Sequence, residues 1–262
     1  MKKIIKNILR NFGFELRNTK YRNKFNLENT FNRLIKKLDS GQKFIVFDVG
    51  GNLGEFSKFY IKLFEHNEIK NYDIHYFEPN TSLLEMAKKK ISSNKVIYNN
   101  FGLGEKDQTL DFYIHRDRHM NSSFLDVHTS YYDIYKKKGM HKYEINKVKR
   151  QITSIDNYIK QKNIPYIDIL KIDTQGFNEN VIAGSVKSLE DEIIKLIYTE
   201  ITLGYKYKKK ETFYNFEKFL IKNNYSLFGI DTKFYDVQII SKFLYKDLTL
   251  DFFYINNKYD KI

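Results

Sequence analysis

The chain has 262 residues, 42% of them hydrophobic, and no cysteine, so it can bury one sizeable core without disulfides or thiolate metal ligands. Its formal net charge of +13 reflects either an AT-rich genome that inflates lysine or a partner that is nucleic acid, an anionic membrane surface or an acidic substrate. No apolar run approaches the ~20 residues that a membrane-spanning helix requires.

Residues 1–41 predict a helical extension that precedes the main domain. Apolar residues between positions 4 and 12 share one helical face opposite basic residues, which is typical of a helix that packs on its own domain or lies on an anionic membrane. Lys6 and Arg10 interrupt this apolar region and no small-residue cleavage site follows, so we expect no signal peptide. Helical spacing of apolar residues at 31–38 predicts a second helix that stops near Gly41.

Residues 42–262 predict one α/β domain with a mainly parallel seven-stranded sheet and helices on both faces. Buried-strand patterns alternate with helical patterns along this region, as in sheets that helices cover on both faces. Residues 116–150 show no clear periodicity, and Ser82 and Glu85 are spaced as a capping box. The predicted strands are 44–47, 73–77, 95–100, 109–115, 166–173, 193–201, 225–230 and 248–256. The predicted helices are 56–64, 80–91, 154–164, 176–189 and 211–224.

The first strand runs into a turn of the form D-x-G-x-x-x-G, carried by Asp48, Gly50 and Gly54. A buried strand, a glycine turn and a helix begin a nucleotide-binding α/β unit. The dinucleotide fingerprint G-x-G-x-x-G fails, because Asn52 and Leu53 stand where a second glycine is needed. The turn therefore indicates a nucleotide other than NAD.

The ends of the second and third strands indicate which nucleotide binds. Glu78 and Pro79 follow the second strand, where an acidic residue reaches ribose hydroxyls. S-adenosylmethionine (SAM) suits this pattern: its methionine end needs close backbone approach, its amine favours a carboxylate, and its ribose offers two hydroxyls to Glu78. Asn99, Asn100 and Gly102 stand where adenine would lie, with turn-forming asparagine as the alternative. The sequence thus predicts a SAM-dependent methyltransferase.

Seven segments, in this order, resemble the FkbM family of SAM-dependent O-methyltransferases: "FDVGGNLGEFS", "YFEPN", "NNFGLGEKDQTLDFY", "NSSF", "ITSIDNYI", "DILKIDTQGFNENVIAGSVKSLED" and "IYTEI". The resemblance covers roughly residues 44 to 257, and its most specific block is LKID-x-QG. It implies a Rossmann-like methyltransferase fold that acts on hydroxyls, frequently of sugars, and Ser122 and Ser123 match the family's serine pair. The family usually has an acid two residues after the glycine of that block, where this chain has Asn178 with Glu179 next to it.

Three residues near strand ends are the candidate catalytic groups. Asp173 and Glu200 end two predicted strands, and ligands of open α/β sheets bind beyond the carboxyl ends of the strands. We expect Asp173 to take the acceptor proton or orient the acceptor, with a helix cap or structural acid as the alternative. Lys171 shares its strand face and is expected to pair with it. The histidines at 115, 119 and 128 are interpreted either as surface residues or as bases that take the acceptor proton. No group of His, Asp or Glu has the spacing of metal ligands, so no obligatory metal is predicted.

The expected function is methyl transfer to a sugar hydroxyl of a glycan or glycoconjugate in the cytoplasm. The basic N-terminal helix adds a peripheral position at the inner membrane face as an alternative. An RNA methyltransferase would use the net charge, although the lysines are dispersed and no RNA-binding module is recognisable. A non-catalytic, membrane-associated SAM-binding scaffold is the third hypothesis, suggested by Asn178 and the N-terminal helix.

Overall fold

The strands form two sheets, and helices cover both faces of the larger one. The computed structural model describes residues 27–116, 119–127, 145–202, 213–231 and 249–260. The strands are β1 (Phe44–Val49), β2 (Tyr72–Phe77), β3 (Val96–Asn99), β4 (Gly102–Leu103), β5 (Gln108–His115), β6 (Ile145–Thr153), β7 (Ile167–Ile172), β8 (Ile194–Thr202), β9 (Tyr225–Asp231) and β10 (Thr249–Asn256). The α-helices are α1 (Leu27–Leu38), α2 (Glu55–His66), α3 (Thr81–Lys90), α4 (Ile155–Lys162), α5 (Asn178–Ala183), α6 (Val186–Glu190) and α7 (Phe213–Lys222).

The larger sheet has seven strands in the order β3-β2-β1-β7-β8-β10-β9. Neighbours from β3 to β8 pair in parallel, whereas β10 is antiparallel to both β8 and β9. The predicted mainly parallel, seven-stranded α/β fold is confirmed. The strand order reverses between β1 and β7, and in open α/β sheets ligands bind outside the carboxyl ends of the strands at such a point.

Two apolar layers hold the helices on the sheet. Helices α1, α2 and α3 bury their apolar side chains on one face, and α4 to α7 bury theirs on the other. The Phe31 ring of α1 lies 5.4 Å, centroid to centroid, from both the Tyr198 and the Phe253 rings of the sheet. Helix α1 therefore belongs to the same core, while the predicted division at residue 41 stays a prediction. The predicted basic helix falls in residues 1–26, which lie outside the described residues.

The sequence did not predict the second sheet. Its strand β6 begins inside the stretch 116–150 and pairs with β5 in antiparallel and with β4 in parallel fashion. Lys147 and Lys149 of β6 are exposed, and their ammonium groups each lie 2.7 Å from the Asp111 carboxylate of β5. Charged residues thus replace the alternating apolar residues that mark a strand.

Two local predictions were wrong. Asn80 is the N-cap of helix α3: its side chain accepts a hydrogen bond from the Ser82 backbone N–H at 3.1 Å, so Ser82 is not the capping residue. The predicted helix 176–189 is two helices, α5 and α6. The helical conformation is interrupted at Gly184, where a Cβ would lie 1.9 Å from the Gly104 carbonyl oxygen. None of the helices in the described ranges is long and apolar enough to cross a membrane.

Candidate functional site

A cavity of about 510 Å³ lies at the carboxyl edge of β1, β2, β7 and β8. Its volume falls within the ~300–1,000 Å³ that is typical of small-molecule sites. The small sheet and a 3₁₀ turn at His119–Asn121 form one of its walls. The predicted site residues that line the cavity are Gly50, Asn52, Glu78, Pro79, Gly102, Lys171, Asp173 and Glu200.

The glycine turn after β1 joins the ends of the three central strands. Gly50 has a φ of +75°, and a Cβ there would lie 1.9 Å from the Asp173 carbonyl oxygen. Position 50 therefore requires glycine, because the end of β7 lies too close for any side chain. The Gly50 and Gly51 N–H groups donate to the Phe77 carbonyl at 3.1 and 3.0 Å, which ties the turn to β2. Gly54, in contrast, begins α2 in a left-handed conformation and does not line the cavity.

Glu78 presents a buried carboxylate to the cavity. Its two oxygens accept the Asn52 N–H at 2.9 Å and the Asn80 N–H at 2.8 Å, so the carboxylate is fixed between the glycine turn and the start of α3. Burial raises the pKa of Glu78 to about 7, although the two N–H donors oppose the shift. A carboxylate has about four lone-pair sites, so Glu78 can accept hydrogen bonds from hydroxyl groups in addition to these two bonds. The predicted role towards ribose hydroxyls fits this geometry.

Asp48 does not line the cavity, which corrects its predicted role as a direct cofactor contact. Its carboxylate is fully buried, accepts the Ser57 hydroxyl at 2.7 Å and lies 3.0 Å from the Lys171 ammonium. Lys171 therefore pairs with Asp48 and not, as predicted, with Asp173. The cause is the register: Asp48 of β1 and Lys171 of β7 are directly opposite partners.

Lys171 supports the glycine turn from below. Its ammonium also donates to the carbonyls of Val49 at 3.3 Å and Gly50 at 2.9 Å. Burial alone would lower the pKa of Lys171, but the carboxylates of Asp48 and Asp173 outweigh burial and raise the pKa above its ordinary value. The side chain is therefore charged, and its contacts make it a positioning residue for the turn.

Asp173 and Glu200 meet on the wall of the cavity, joined by a residue that the sequence analysis did not single out. The Gln175 amide nitrogen donates to Asp173 Oδ1 at 2.8 Å and to Glu200 Oε1 at 3.2 Å. Gln175 has a φ of 53°, a conformation that is uncommon outside glycine. The left-handed residue directs the amide back between the two strand ends. No local pattern signals this role; only its place in the block LKID-x-QG could have drawn attention to it.

Asn178 holds the loop that carries Gln175. Its Oδ1 accepts the Thr174 N–H at 2.9 Å and the Thr174 hydroxyl at 2.6 Å, while its Nδ2 donates to the Glu200 carbonyl at 2.5 Å. An acid at this position would accept the first two bonds but could not, when ionised, donate the third. Glu179, the acid next to Asn178, does not line the cavity.

The serine pair has a structural role. The Ser123 hydroxyl donates to the Gln175 carbonyl at 2.8 Å and accepts the Leu125 N–H at 3.0 Å, which fastens residues 119–127 to the loop after β7. The Ser122 hydroxyl accepts the His115 N–H at 3.2 Å and also faces the cavity.

The remaining predicted residues lie around the site. Asn99 and Asn100 donate to backbone carbonyls of β2 and the residue after it, at 3.2 Å (Tyr76) and 2.9 Å (Glu78), and Asn100 is not part of the cavity wall. The turn-forming interpretation thus fits them better. His119 lines the cavity, His115 is buried outside it, and His128 lies outside the described residues. No metal-binding group of three or more His, Cys, Asp or Glu occurs in the part of the chain that the structure describes; the metal requirement stays a prediction.

Residues 48–227 match the family described as the methyltransferase FkbM domain. The chain belongs to this family. It is therefore a SAM-dependent methyltransferase, as the glycine turn and Glu78 predicted. A comparison with curated proteins gave no match.

Several solved methyltransferase structures are similar to this chain. Methyltransferase FkbM from Methylobacillus flagellatus KT shares 12% identity with a TM-score of 0.48, and the match covers 80% of this chain and 43% of that one. Magnesium protoporphyrin IX methyltransferase from Synechocystis PCC 6803, solved with bound SAM, shares 12% identity with a TM-score of 0.41 and covers 97% of this chain and 96% of that one. A SAM-dependent methyltransferase from Mesorhizobium loti shares 10% identity with a TM-score of 0.43, and the match covers 85% of this chain and 95% of that one. The family assignment rests on the match over 48–227 and not on these likenesses.

The described residues fit SAM. The turn at 50–53 brings main chain to the cavity, Glu78 offers oxygens to ribose hydroxyls, and Gly102 lines the wall where the sequence analysis placed the adenine. When bound, SAM supplies a methyl group that its positively charged sulfur activates. Asp48 and Lys171 contribute indirectly: Lys171, paired with Asp48, donates hydrogen bonds to the Val49 and Gly50 carbonyls and so holds the turn in place.

Proposed function

We propose that this FkbM-family enzyme transfers the methyl group of SAM to a hydroxyl of a sugar in a glycan or glycoconjugate. The observation that carries the proposal is the carboxylate of Asp173 beside the cofactor turn. The Asp173 backbone N–H donates to the Val49 carbonyl at 3.0 Å, so this residue is fixed against the strand that opens into the turn. A methyl acceptor in the cavity would lie between the Asp173 carboxylate and the cofactor turn.

A sugar hydroxyl is a weak nucleophile, and a carboxylate that accepts its proton during the transfer assists it. Asp173 Oδ1 accepts the Gln175 amide, whereas Oδ2 has no hydrogen-bond partner within the described ranges. The carboxylate can therefore orient the hydroxyl through Oδ2 and take up its proton. Much of the remaining rate enhancement comes from holding acceptor and donor together.

The walls of the cavity suit a sugar ring. The carboxylates of Asp173 and Glu200 accept hydroxyl hydrogen bonds, and the aromatic rings of Phe56, Phe112 and Phe124 line other parts of the wall. A few placed polar groups within a largely apolar and aromatic lining are typical of a site that orients a small molecule.

The test is an assay of methyl transfer from methyl-labelled SAM to a panel of methyl glycosides, oligosaccharides and total RNA. We expect label in the glycosides or oligosaccharides and formation of S-adenosylhomocysteine (SAH). Asp173→Asn should keep the SAH affinity, measured by calorimetry, and lose at least about a hundredfold in rate. The exposed Glu190→Gln, on α6, serves as a matched control and should keep both the SAH affinity and the rate of methyl transfer.

Other outcomes identify the alternatives. Label found only in RNA would support the RNA methyltransferase, and SAH binding without transfer to any acceptor would support the scaffold. We also propose a cytoplasmic location, which a chain without cysteine allows. Cell fractionation with and without residues 2–10 tests this location and the membrane alternative.

A further inference from the structure

We propose that Tyr76 is a positioning residue for cofactor binding: its buried hydroxyl holds Asn52 so that the Asn52 N–H stays on the Glu78 carboxylate. The Tyr76 side chain is fully buried in β2 and does not line the cavity, so it acts through Asn52 and does not touch the cofactor itself. The inference rests on the role of Glu78 towards the ribose and is independent of the methyl acceptor.

Asn52 is the residue of the glycine turn that β2 and the residue after it hold from two sides. Its carbonyl accepts the Tyr76 hydroxyl, and its N–H donates to Glu78 Oε2 at 2.9 Å. Asn52 has a φ of 52°, a left-handed conformation that asparagine visits but that is less favourable than a right-handed one. The Tyr76 hydroxyl stabilises this conformation and so keeps the N–H directed at the carboxylate.

The Tyr76 ring supports the same turn by contact. A Cβ at Gly51 would lie 2.1 Å from Cε2 of this ring, so the turn lies directly on the ring. Gly51 does not have a left-handed φ, so glycine is needed here because of the ring and not because of the backbone angle. Since Tyr76 and Glu78 are two residues apart, one segment of chain brings a donor and an acceptor to the same turn.

The Tyr76 hydroxyl acts only as a neutral donor. Burial, and then the carboxylates of Glu78 and Asp48, raise the pKa of Tyr76, so the hydroxyl keeps its proton at neutral pH. Without this donor the Asn52 carbonyl loses its partner, and the N–H on the other side is free to leave Glu78. A carboxylate that loses an N–H donor is protonated more easily, so its pKa rises.

The other charged groups near Glu78 stay in place when the hydroxyl is removed. Burial dominates the raised pKa of Glu78, the two N–H donors and the Lys171 ammonium oppose it, and the Asp48 carboxylate adds to it. The Arg150 guanidinium of β6 lies at the next residue, where its Nε donates to the Pro79 carbonyl at 2.7 Å. A change in the Glu78 pKa on removal of the hydroxyl therefore reports on the bond from the turn.

The experiment compares the wild type with Tyr76→Phe, which removes the hydroxyl and keeps the ring. The pKa of Glu78 is read from the carbon resonance of its carboxyl group in protein labelled at glutamate, with Glu78→Gln identifying the signal. We expect this pKa to rise by about 0.5 or more, and SAH affinity, measured by calorimetry at pH 7, to fall about threefold or more. Tyr60→Phe is the matched control, since Tyr60 is fully buried in α2 and its hydroxyl has no hydrogen-bond partner among the described residues. It should leave the Glu78 pKa and the SAH affinity unchanged.

Three results would overturn the proposal. If Tyr76→Phe is less stable in urea but keeps the wild-type pKa of Glu78 and the wild-type SAH affinity, Tyr76 has a structural role only. Weaker SAH binding with an unchanged pKa excludes the route through the Asn52 N–H. A raised pKa with unchanged SAH affinity at pH 7 shows that Glu78 does not contact the cofactor. Each of these results leaves the sugar methyltransferase assignment as it stands, because no acceptor takes part in the measurements.

Discussion

Lys171 of β7 and Asp48 of β1 form an ion pair at 3.0 Å in which the two side chains are 2% and 0% exposed. The pair lies directly beneath the glycine turn that forms the cofactor end of the cavity. Because Lys171 also donates to the Val49 and Gly50 carbonyls, one buried ammonium links the central strands to the turn. Stability and cofactor binding therefore depend on the same contact.

Removing one member of this pair should destabilise the fold strongly. We expect Lys171→Met or Asp48→Asn to lower the free energy of unfolding by about 3–5 kcal/mol, because each leaves a buried charge without its partner. Urea denaturation measures the loss. The double variant removes both charges, so its loss of unfolding free energy should be smaller than the sum of the two single losses by at least about 1 kcal/mol. Additive losses would show that the two charges do not interact.

Gly50 should be essential for cofactor binding for a reason that separates it from the equally left-handed Gly41. Gly50 and Gly41 have φ values of +75° and +74°, but only at Gly50 would a Cβ overlap a neighbour, the Asp173 carbonyl oxygen. We expect Gly50→Ala to weaken SAH binding by at least about tenfold, since the turn must move away from β7. Gly41→Ala carries only the left-handed strain of about 1–2 kcal/mol and should bind SAH normally. Calorimetric titration compares them, and equal affinities would contradict the role of the close contact.

Local patterns could predict the fold and the strand-end residues, but not the contacts made by pairing. The apolar run of β1, the glycines and the helical spacing of α2 are adjacent in sequence, and Glu78 and Asp173 each directly follow a recognisable strand. The Lys171–Asp48 pair, in contrast, depends on the register of β1 against β7, which no local pattern contains. Gln175 acts through a left-handed backbone angle.

The raised pKa of Glu78, about 7, predicts that cofactor binding depends on pH. Ribose hydroxyls donate to the ionised carboxylate, so the protonated form must lose its proton before SAH binds fully. The fraction that is protonated grows as the pH falls through 7, and SAH affinity should decrease about tenfold between pH 8 and pH 6. Calorimetry across this range measures the slope. Glu78→Gln should bind SAH weakly at every pH and lose the slope, and a wild-type affinity that is constant with pH would contradict this role.

Asn178 stands where the family usually has an acid, and restoring that acid should harm this protein. In Asn178→Asp the new oxygens can still accept the two Thr174 bonds, but the donor to the Glu200 carbonyl at 2.5 Å is lost and a charge faces that carbonyl. We expect the free energy of unfolding to fall by about 1–3 kcal/mol at pH 7. The loss should diminish as the pH falls and the new carboxyl becomes protonated, since a protonated carboxyl can donate again. The exposed Asn146→Asp makes the same chemical change on β6 and should cost little at any pH. Denaturation at pH 5 and pH 7 separates the two, and an Asn178→Asp protein as stable as wild type would show that the amide donor is not needed.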